Sequence, residues 1–256
     1  MFDEKRHYRH EFKYVQPESR LLPAELRLST FMSKDKHAGE KGFYSIRSLY
    51  FDDYSDSFLE DNIRGTDDRE KWRIRIYDRN SGFISLERKM RKADLISKDS
   101  CSISEECFRS LLSGKASISG DNHPLLNVFI LNVKTKGLHP VIIVEYERTP
   151  FIAKEGNTRV TFDRNIRSSS ELDALLADRE LMSRPVMEKG QNLLEVKFDA
   201  FLPDHIGHAI ETGHMRRETF SKYYLTRKYA FSAASRYTVS GGLIQGGKYE
   251  HIFQHL

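Results

Sequence analysis

The chain has 256 residues, of which 39% are apolar, and its formal net charge is +4. This content suffices for a sizeable core, and no Pro/Gly/Ser-rich linker or block of charge divides the sequence, so we expect one domain over residues 1–238 and a loosely attached tail over 239–256. Because the sequence shows neither a secretory signal nor an apolar run of the roughly 18 residues that cross a bilayer, we expect a cytoplasmic protein.

Seven segments alternate apolar and polar side chains with a period of two, which is typical of β-strands with one buried face. In chain order they cover residues 5–15, 43–53, 69–79, 83–93, 141–149, 158–167 and 192–199. The third and fourth are joined by residues 78–82 (DRNSG), a turn-forming sequence that predicts a β-hairpin.

Six helical segments are expected between and after these strands. Ser55 is placed to cap a helix that runs to Arg64 and stops at Gly65, and Ser104 is placed to cap another that ends at Gly114. The other four cover residues 17–32, 124–133, 203–212 and 220–232. Because the helices are interspersed among the strands without strict alternation, the pattern indicates an α+β fold built on an antiparallel sheet or barrel.

The polar faces of several predicted strands are mainly cationic. Residues 69–79 place Lys71, Arg73, Arg75 and Arg79 on one face of a strand, with Trp72, Ile74 and Ile76 on the other. The same division recurs with an occasional glutamate among the cations. On the polar faces of the other predicted strands the residues are Arg9, Glu11, Lys13, Glu87, Lys89, Tyr146, Arg148, Arg159, Glu195 and Lys197.

A solvated outer face is one explanation of such a strand, although outer faces usually mix charges of both signs. Two cations about 7 Å apart along a strand repel each other by roughly 2 kcal/mol at an effective dielectric constant near 20. Over several converging strands this repulsion approaches the stability of a whole domain, and a bound polyanion would offset it. If the sheet closes into a barrel with these faces inward, its lumen is a cationic tunnel in which arginines grip phosphate and glutamates hold a divalent cation.

Eight motifs occur in the order found in one superfamily, namely RHEFKY, SLYFDD, WRIRIY, LERK, YER, TRVTFDR, LLEVKF and SKYYLTRKY. With these motifs the chain resembles the triphosphate tunnel metalloenzymes, which include the CYTH proteins, over about residues 6–229. Within them it is most similar to the VTC domain, the polyphosphate polymerase domain of the vacuolar transporter chaperone complex. The resemblance implies a closed antiparallel β-barrel, the triphosphate tunnel, with helices around it.

The resemblance also implies roles for individual residues. The catalytic cations that contact the triphosphate or the phosphate chain would be Lys13, Arg73, Arg75, Lys89, Arg148 and Arg159. Further phosphate-binding or nucleotide-binding positions would be Arg9, Lys98, Tyr146, Lys197, Ser221 and Lys222. A Mn²⁺ or Mg²⁺ cofactor would be held by Glu195, while Glu11 and Glu87 either add metal ligands or pair with neighbouring cations.

Two departures from the family pattern bear on the activity. Hydrolytic members carry an E-x-E-x-K strand, whereas this strand reads RHEFK, and Arg9 in place of the first glutamate favours phosphate binding over a carboxylate-rich hydrolytic site. The polymerase has a lysine two residues before the serine of its Ser-Lys pair, where this chain has Thr219. One cation fewer is then available to hold a long phosphate chain.

The function implied by the resemblance is that of a polyphosphate polymerase, a metal-dependent phosphotransferase that moves the γ-phosphate of a nucleoside triphosphate, expected to be ATP, onto inorganic polyphosphate. A triphosphatase or polyphosphatase, and a non-catalytic module that binds polyphosphate or inositol phosphate, stay open as alternatives. Nucleic acid is not an expected partner, because Trp72 and Tyr77 alternate as strand core and form no base-stacking platform. A separate membrane partner stays open, since the VTC complex translocates its product through membrane segments not found here, and the oligomeric state stays undetermined.

Overall fold

The computed structural model describes residues 6–211, 213 and 215–229, and the tail expected over 239–256 lies outside the described residues. The strands in this range are β1 (His10–Pro17), β2 (Ser33–Lys34), β3 (Tyr44–Asp52), β4 (Asp68–Tyr77), β5 (Asn80–Lys92), β6 (Leu95–Ile103), β7 (His139–Ala153), β8 (Thr158–Ser169), β9 (Arg184–Pro185) and β10 (Gln191–Phe198). The helices are α1 (Glu18–Ser29), α2 (Ser57–Arg64), α3 (Glu105–Leu112), α4 (Pro124–Lys136), α5 (Asp204–Ile210) and α6 (222–229).

Eight long strands form one antiparallel ladder in the order β1-β10-β8-β7-β3-β4-β5-β6, with β2 paired to β7 and β9 paired to β8. All seven predicted strands are present, with bounds that differ from the expected ones by up to five residues, and the expected start of the first at Lys5 lies outside the described residues. Strand β6 and the two short strands were not predicted. The hairpin between β4 and β5 is confirmed, and its turn is Asp78-Arg79, with φ angles of 49° and 56°. Positive φ at both positions is the turn geometry whose twist matches that of paired strands.

The ladder does not continue from β6 around to β1. Within the described residues, these two edges share backbone hydrogen bonds at one residue pair, where the N–H of Arg9 donates to the carbonyl of Ile96 and the N–H of Ile96 donates to the carbonyl of Arg9, both at 3.0 Å. The fold is therefore α+β with a large antiparallel sheet. A barrel closed by a continuous hydrogen-bonded ladder is not shown.

The apolar core lies between one face of the sheet and the helices. Trp72, Ile74 and Ile76 of β4 are fully buried on this face, and the Trp72 ring packs on Phe129 of α4 with ring centroids 5.2 Å apart. A second apolar cluster lies where α1 and α5 cover β8 and β10. Because the apolar residues of each strand are used on the helix side, the polar residues of the same strands face away from it.

The helix caps agree only in part with the sequence. Ser104 accepts a hydrogen bond from a backbone N–H of α3 at 3.0 Å, so that cap is confirmed. The cap predicted at Ser55 is wrong, because α2 begins two residues later and the Asp52 carboxylate accepts from the N–H groups of Phe58 and Leu59 at 3.0 and 3.1 Å. In the described ranges, no helix has both the length and the apolar character required to cross a membrane.

Candidate phosphate-binding cavity

The face of the sheet that the helices leave uncovered surrounds a cavity of about 480 Å³, lined by all eight strands of the ladder, by Asn62 of α2 and by residues 217–223. In the described part of the chain, fourteen basic side chains line it, namely Arg9, Lys13, Arg69, Lys71, Arg73, Arg75, Lys89, Arg91, Lys98, Arg148, Arg159, Lys197, Arg217 and Lys222. Four acidic side chains line it, namely Glu11, Asp94, Glu195 and Glu218. The cavity is therefore strongly cationic.

The structure brings fourteen of the fifteen predicted site residues together around this cavity. All the predicted catalytic residues and phosphate-binding residues line it, and so do two of the predicted metal ligands, Glu11 and Glu195. Glu87 is the exception. Alternation along six predicted strands thus identified eleven residues of one common surface, and the resemblance added Lys98, Ser221 and Lys222. The roles of these residues are still predictions.

The β4–β5 hairpin supplies the two central arginines. Arg73 donates to the Tyr50 hydroxyl at 3.0 Å and to a Glu87 oxygen at 2.8 Å, and Arg75 donates to the Tyr146 hydroxyl at 3.1 Å. Burial opposes ionisation of the Tyr50 phenol, but the charges of Arg73 and Arg75 outweigh it and lower the pKa of Tyr50. The same arginine charges would stabilise an anion bound in the cavity.

Glu87 lies behind the lining, where it acts as a counter-ion. Besides its bond from Arg73, its carboxylate accepts from Lys98 at 2.9 Å and lies 3.7 Å from Arg75. Although burial raises the pKa of the Glu87 carboxyl, the charges of these three cations outweigh the effect and hold it well below its usual range. Of its two expected roles, this placement favours pairing with cations over metal ligation.

Asp163 is a second buried counter-ion, on the opposite side of the cavity. Nε and one terminal nitrogen of Arg148 each lie 2.7 Å from an Asp163 oxygen, and Lys222 lies 2.6 Å from the same carboxylate. Lys222 also lies 4.6 Å from the centre of the Tyr146 ring. Asp163 therefore fixes two lining cations that are 74 positions apart in the chain.

Glu11 and Glu195 form a cluster with three lysines in the wall. Lys89 lies 2.7 and 2.9 Å from the two Glu11 oxygens, and Lys13 lies 2.9 Å from Glu11 and 3.9 Å from Glu195. Lys197 contacts both carboxylates. Burial raises the pKa of both carboxyls, but the neighbouring ammonium charges outweigh it and hold both pKa values well below the usual range.

Several lining residues were not among the predicted site residues, and their position in the sequence contains a signal for two of them. Lys71 lies on the predicted cationic face of β4 although it was not named a site residue, and extending the alternation by one step includes Arg69 as well. Asn62, whose side chain contacts Lys71, comes from a helix and carries no such periodic signal. Alternation along strands therefore could not predict that Asn62 lines the cavity.

The donor set can be compared with what a divalent cation requires. Within the described residues, no three His, Cys, Asp or Glu side chains gather in an arrangement that could hold a metal ion. Glu11 and Glu195 nevertheless share Lys13 and Lys197, so two hard carboxylate ligands lie close together. Mg²⁺ is commonly bound by one or two carboxylates with phosphate oxygens as further ligands, and this pair fits that mode.

The first of the following solved structures shares the fold of this chain. HpAC1 from Hippeastrum, a putative adenylyl cyclase with a dominant triphosphatase activity, matches with a TM-score of 0.52 and 14% identity over 87% of this chain and 95% of its own. PH1819 from Pyrococcus horikoshii matches with a TM-score of 0.45 and 13% identity over 86% of this chain and 99% of its own. A putative adenylate cyclase from Bacillus halodurans matches with a TM-score of 0.41 and 12% identity over 96% of this chain and 98% of its own.

Comparison with sequences identifies the family. A search of curated proteins gave no match. The VTC domain family matches residues 8–231, which is most of the chain. The resemblance seen in the sequence is therefore confirmed, and the chain belongs to the VTC domain family.

Proposed function

We propose that the protein is a polyphosphate polymerase that transfers the γ-phosphate of ATP, or of another nucleoside triphosphate, to the end of an inorganic polyphosphate chain. The observation that carries this proposal is the cavity lining, with fourteen basic side chains and four acidic ones in the described part of the chain. Two cations 4 Å apart repel each other by about 4 kcal/mol at an effective dielectric constant of 20. A polyphosphate chain, with its regularly spaced negative charges, would convert this repulsion into binding energy.

Phosphoryl transfer requires that the terminal phosphate of the chain is aligned with the γ-phosphorus and that the charge on the transferring group is neutralised. An oxygen of the chain's terminal phosphate attacks the γ-phosphorus, the bond between that phosphorus and the β-γ bridging oxygen breaks, and the nucleoside diphosphate leaves. The acceptor oxygen is already anionic, so no residue has to remove a proton from it. Arg73, Arg75 and Arg148 are held by the Glu87 and Asp163 counter-ions and neutralise charge on the transferring group.

A divalent metal, Mn²⁺ or Mg²⁺, fits this proposal. Glu11 and Glu195 would hold it, since they are the two neighbouring carboxylates of the lining. When bound, the metal supplies further neutralisation of phosphate oxygens. Lys13, Lys89 and Lys197 balance the charge of the two glutamates in the ligand-free cavity and hold the phosphate chain beside them.

A triphosphatase is the second candidate, and the fold shared with HpAC1 favours it. In that reaction water replaces the chain as nucleophile and must lose a proton. The cavity carboxylates Glu11 and Glu195 are both engaged by lysines, which makes them weak proton acceptors. Arg9 also stands where hydrolytic members of the superfamily carry a glutamate. These two features support a phosphate acceptor over water.

The activities are separated by following the products from two substrates. With ATP, Mn²⁺ and a short polyphosphate primer, growth of a polymer on gels and in ³¹P NMR spectra supports the polymerase. Release of orthophosphate from inorganic triphosphate, without polymer growth, supports the triphosphatase and overturns the proposal. Saturable triphosphate binding with neither product would instead assign a binding module.

A further inference from the structure

Lys71 differs from the other lysines of the cavity lining. In the described structure each of the others, Lys13, Lys89, Lys98, Lys197 and Lys222, lies within salt-bridge distance of a glutamate or aspartate. No described carboxylate lies at that distance from Lys71 Nζ. Its polar contacts are Asn62 Oδ1 at 3.0 Å and Ser221 Oγ at 2.8 Å.

The surroundings of Lys71 disfavour a positive charge. The side chain is buried and faces the amino groups of Lys13 on β1 and Lys89 on β5 and the guanidinium of Arg69 on its own strand. Two groups oppose them, namely Glu11 on β1 and the face of the Tyr223 ring on α6, which lies 5.6 Å from Nζ and attracts a cation. Burial first, and then the neighbouring Lys13, Lys89 and Arg69, lower the pKa of Lys71 well below its ordinary value.

The hydrogen bonds of Ser221 give independent evidence about the Lys71 amine. A hydroxyl has two acceptor lone pairs and one proton to donate. Ser221 Oγ lies 3.1 Å from Asn62 Nδ2 and 3.2 Å from the N–H of Tyr224, and these two donors use both lone pairs. The third contact, to Lys71 at 2.8 Å, is then left to the hydroxyl proton. Only an uncharged amine has a lone pair that can accept it.

The orientation of the Asn62 amide does not alter this result. If its oxygen and nitrogen are exchanged, the amide nitrogen lies 3.0 Å from Lys71 Nζ. Two groups that only donate would then face each other if Lys71 were an ammonium. An uncharged amine can accept from the amide N–H. Both orientations therefore favour the uncharged form.

We propose that Lys71 is an uncharged amine in the phosphate-free cavity and takes up one proton from the solvent when a phosphate chain binds. This inference rests on the proposed function for the class of ligand. The chain's negative charge reverses the repulsion from Lys13 and Lys89, so the ammonium becomes the stable form. The new N–H then donates to phosphate, and the Ser221 hydroxyl, released from the amine, can donate to phosphate as well.

Protonation of Lys71 also bears on the choice of acceptor. An ammonium has no lone pair, so once the chain is bound Lys71 cannot remove a proton from water. The anionic terminal phosphate of a chain needs no such base. Proton uptake at Lys71 therefore disfavours hydrolysis and is compatible with chain extension.

The test is calorimetric titration of the intact protein with inorganic triphosphate, in buffers of different ionisation enthalpy. At about pH 8, well below the ordinary lysine pKa of about 10.4, an ordinary lysine is charged before and after binding and takes up no proton. Burial lowers the pKa of Lys89 to about 7, so Lys89 can also take up a proton, but it is present in the wild-type protein and in the variants alike. Triphosphate itself titrates, so the informative quantity is the difference between variants. We expect the wild-type protein to take up about one proton more per triphosphate than Lys71→Arg, whose guanidinium is always charged. Lys98→Arg, a lining lysine already paired with Glu87, should keep the wild-type proton count.

The outcomes separate this inference from the function on which it rests. Absence of triphosphate binding to the wild-type protein overturns both. Binding with the same proton count in the wild-type protein and in Lys71→Arg overturns the inference alone. If Lys71→Arg does not fold, Lys71→Gln keeps a donor and an acceptor toward Asn62 and Ser221, and the same difference of about one proton is expected.

Discussion

Arg148 and Asp163 form a buried ion pair with two parallel hydrogen bonds of 2.7 Å, formed between neighbouring strands behind the cationic cavity. Lys222 from the distant helix α6 joins the same carboxylate at 2.6 Å. One aspartate that does not line the cavity thus determines where two of its cations lie. The bidentate geometry also fixes the plane of the Arg148 guanidinium.

Replacing Asp163 should cost stability, because the two cations would stay buried without their counter-ion. We expect Asp163→Asn to lower the free energy of unfolding by about 3–5 kcal/mol, the usual effect of breaking a buried pair. Urea denaturation measures the loss. Asp94→Asn, an exposed acid at the cavity rim, is the matched control and should change stability by less than about 1 kcal/mol. Equal losses in the two variants would contradict the assigned role of Asp163.

Removing a buried cavity arginine should weaken triphosphate binding. Arg75→Leu is expected to raise the dissociation constant at least about tenfold, or about 1.4 kcal/mol, because a guanidinium in the wall binds phosphate by charge-assisted hydrogen bonds. Arg79→Leu makes the same change of charge at the exposed hairpin turn and should alter the constant by no more than about twofold. Calorimetry at one fixed salt concentration compares them. The proposed site would be in the wrong place if both variants bound equally well.

The two glutamates Glu195 and Glu87 should respond differently to metal. We expect Glu195→Gln to raise the Mn²⁺ concentration for half-maximal activity at least about tenfold, since it removes a proposed ligand. Glu87 lies behind the lining as a counter-ion, so Glu87→Gln should leave the metal requirement unchanged even if activity falls. Metal titration of activity, after chelation and removal of the chelator, measures both. A larger shift for Glu87→Gln would reverse the assignment.

Glu87 should contribute to loss of stability in acid. Its pKa is held well below the usual range, because Arg73 first, then Arg75 and Lys98, outweigh the effect of burial. A carboxyl with a depressed folded-state pKa stabilises the fold above its unfolded pKa of about 4.3, and this contribution is lost as the pH falls toward the folded value. The decline in unfolding free energy below about pH 4.3 should therefore be less steep in Glu87→Gln. Parallel curves for variant and wild type would rule out this linkage.

Alternation of residue types was sufficient to find most of the cavity, because a strand's two faces are set by its geometry. Alternation could not predict that Glu87 lies behind the lining, because Glu87 and Lys89 are two positions apart in β5 and therefore lie on the same face of the strand. What separates them is depth: Glu87 lies opposite Arg73, and the arginine covers it, whereas Lys89 lies opposite Lys71 and reaches the cavity. Depth depends on which side chain stands across the ladder, and the register of pairing is not visible in one strand's sequence.

The sequence did not predict strand β6 for a different reason. It follows β5 through Ala93-Asp94, and Ala93 adopts a φ of 50° without the glycine or asparagine that usually marks such a turn. The strand itself contains several serines and few β-branched residues, which weakens its local signal. Pairing with β5 supplies what local preference lacks, and through Lys98 it brings a further cation to the cavity.

In the part of the chain that the structure describes, Arg9–Ile96 is the one backbone hydrogen-bonded pair between the edges β1 and β6, and we expect the cavity wall to open there first. Parting β1 from β6 there breaks two backbone hydrogen bonds, whereas parting any other neighbours in the eight-strand ladder breaks a longer series. The amide protons of Arg9 and Ile96 should therefore exchange with deuterium sooner than those at the centre of β8 or β10, as hydrogen-exchange mass spectrometry can test. We therefore expect that the circumference of the wall can change without unfolding a strand, so that the width of the cavity is adjustable.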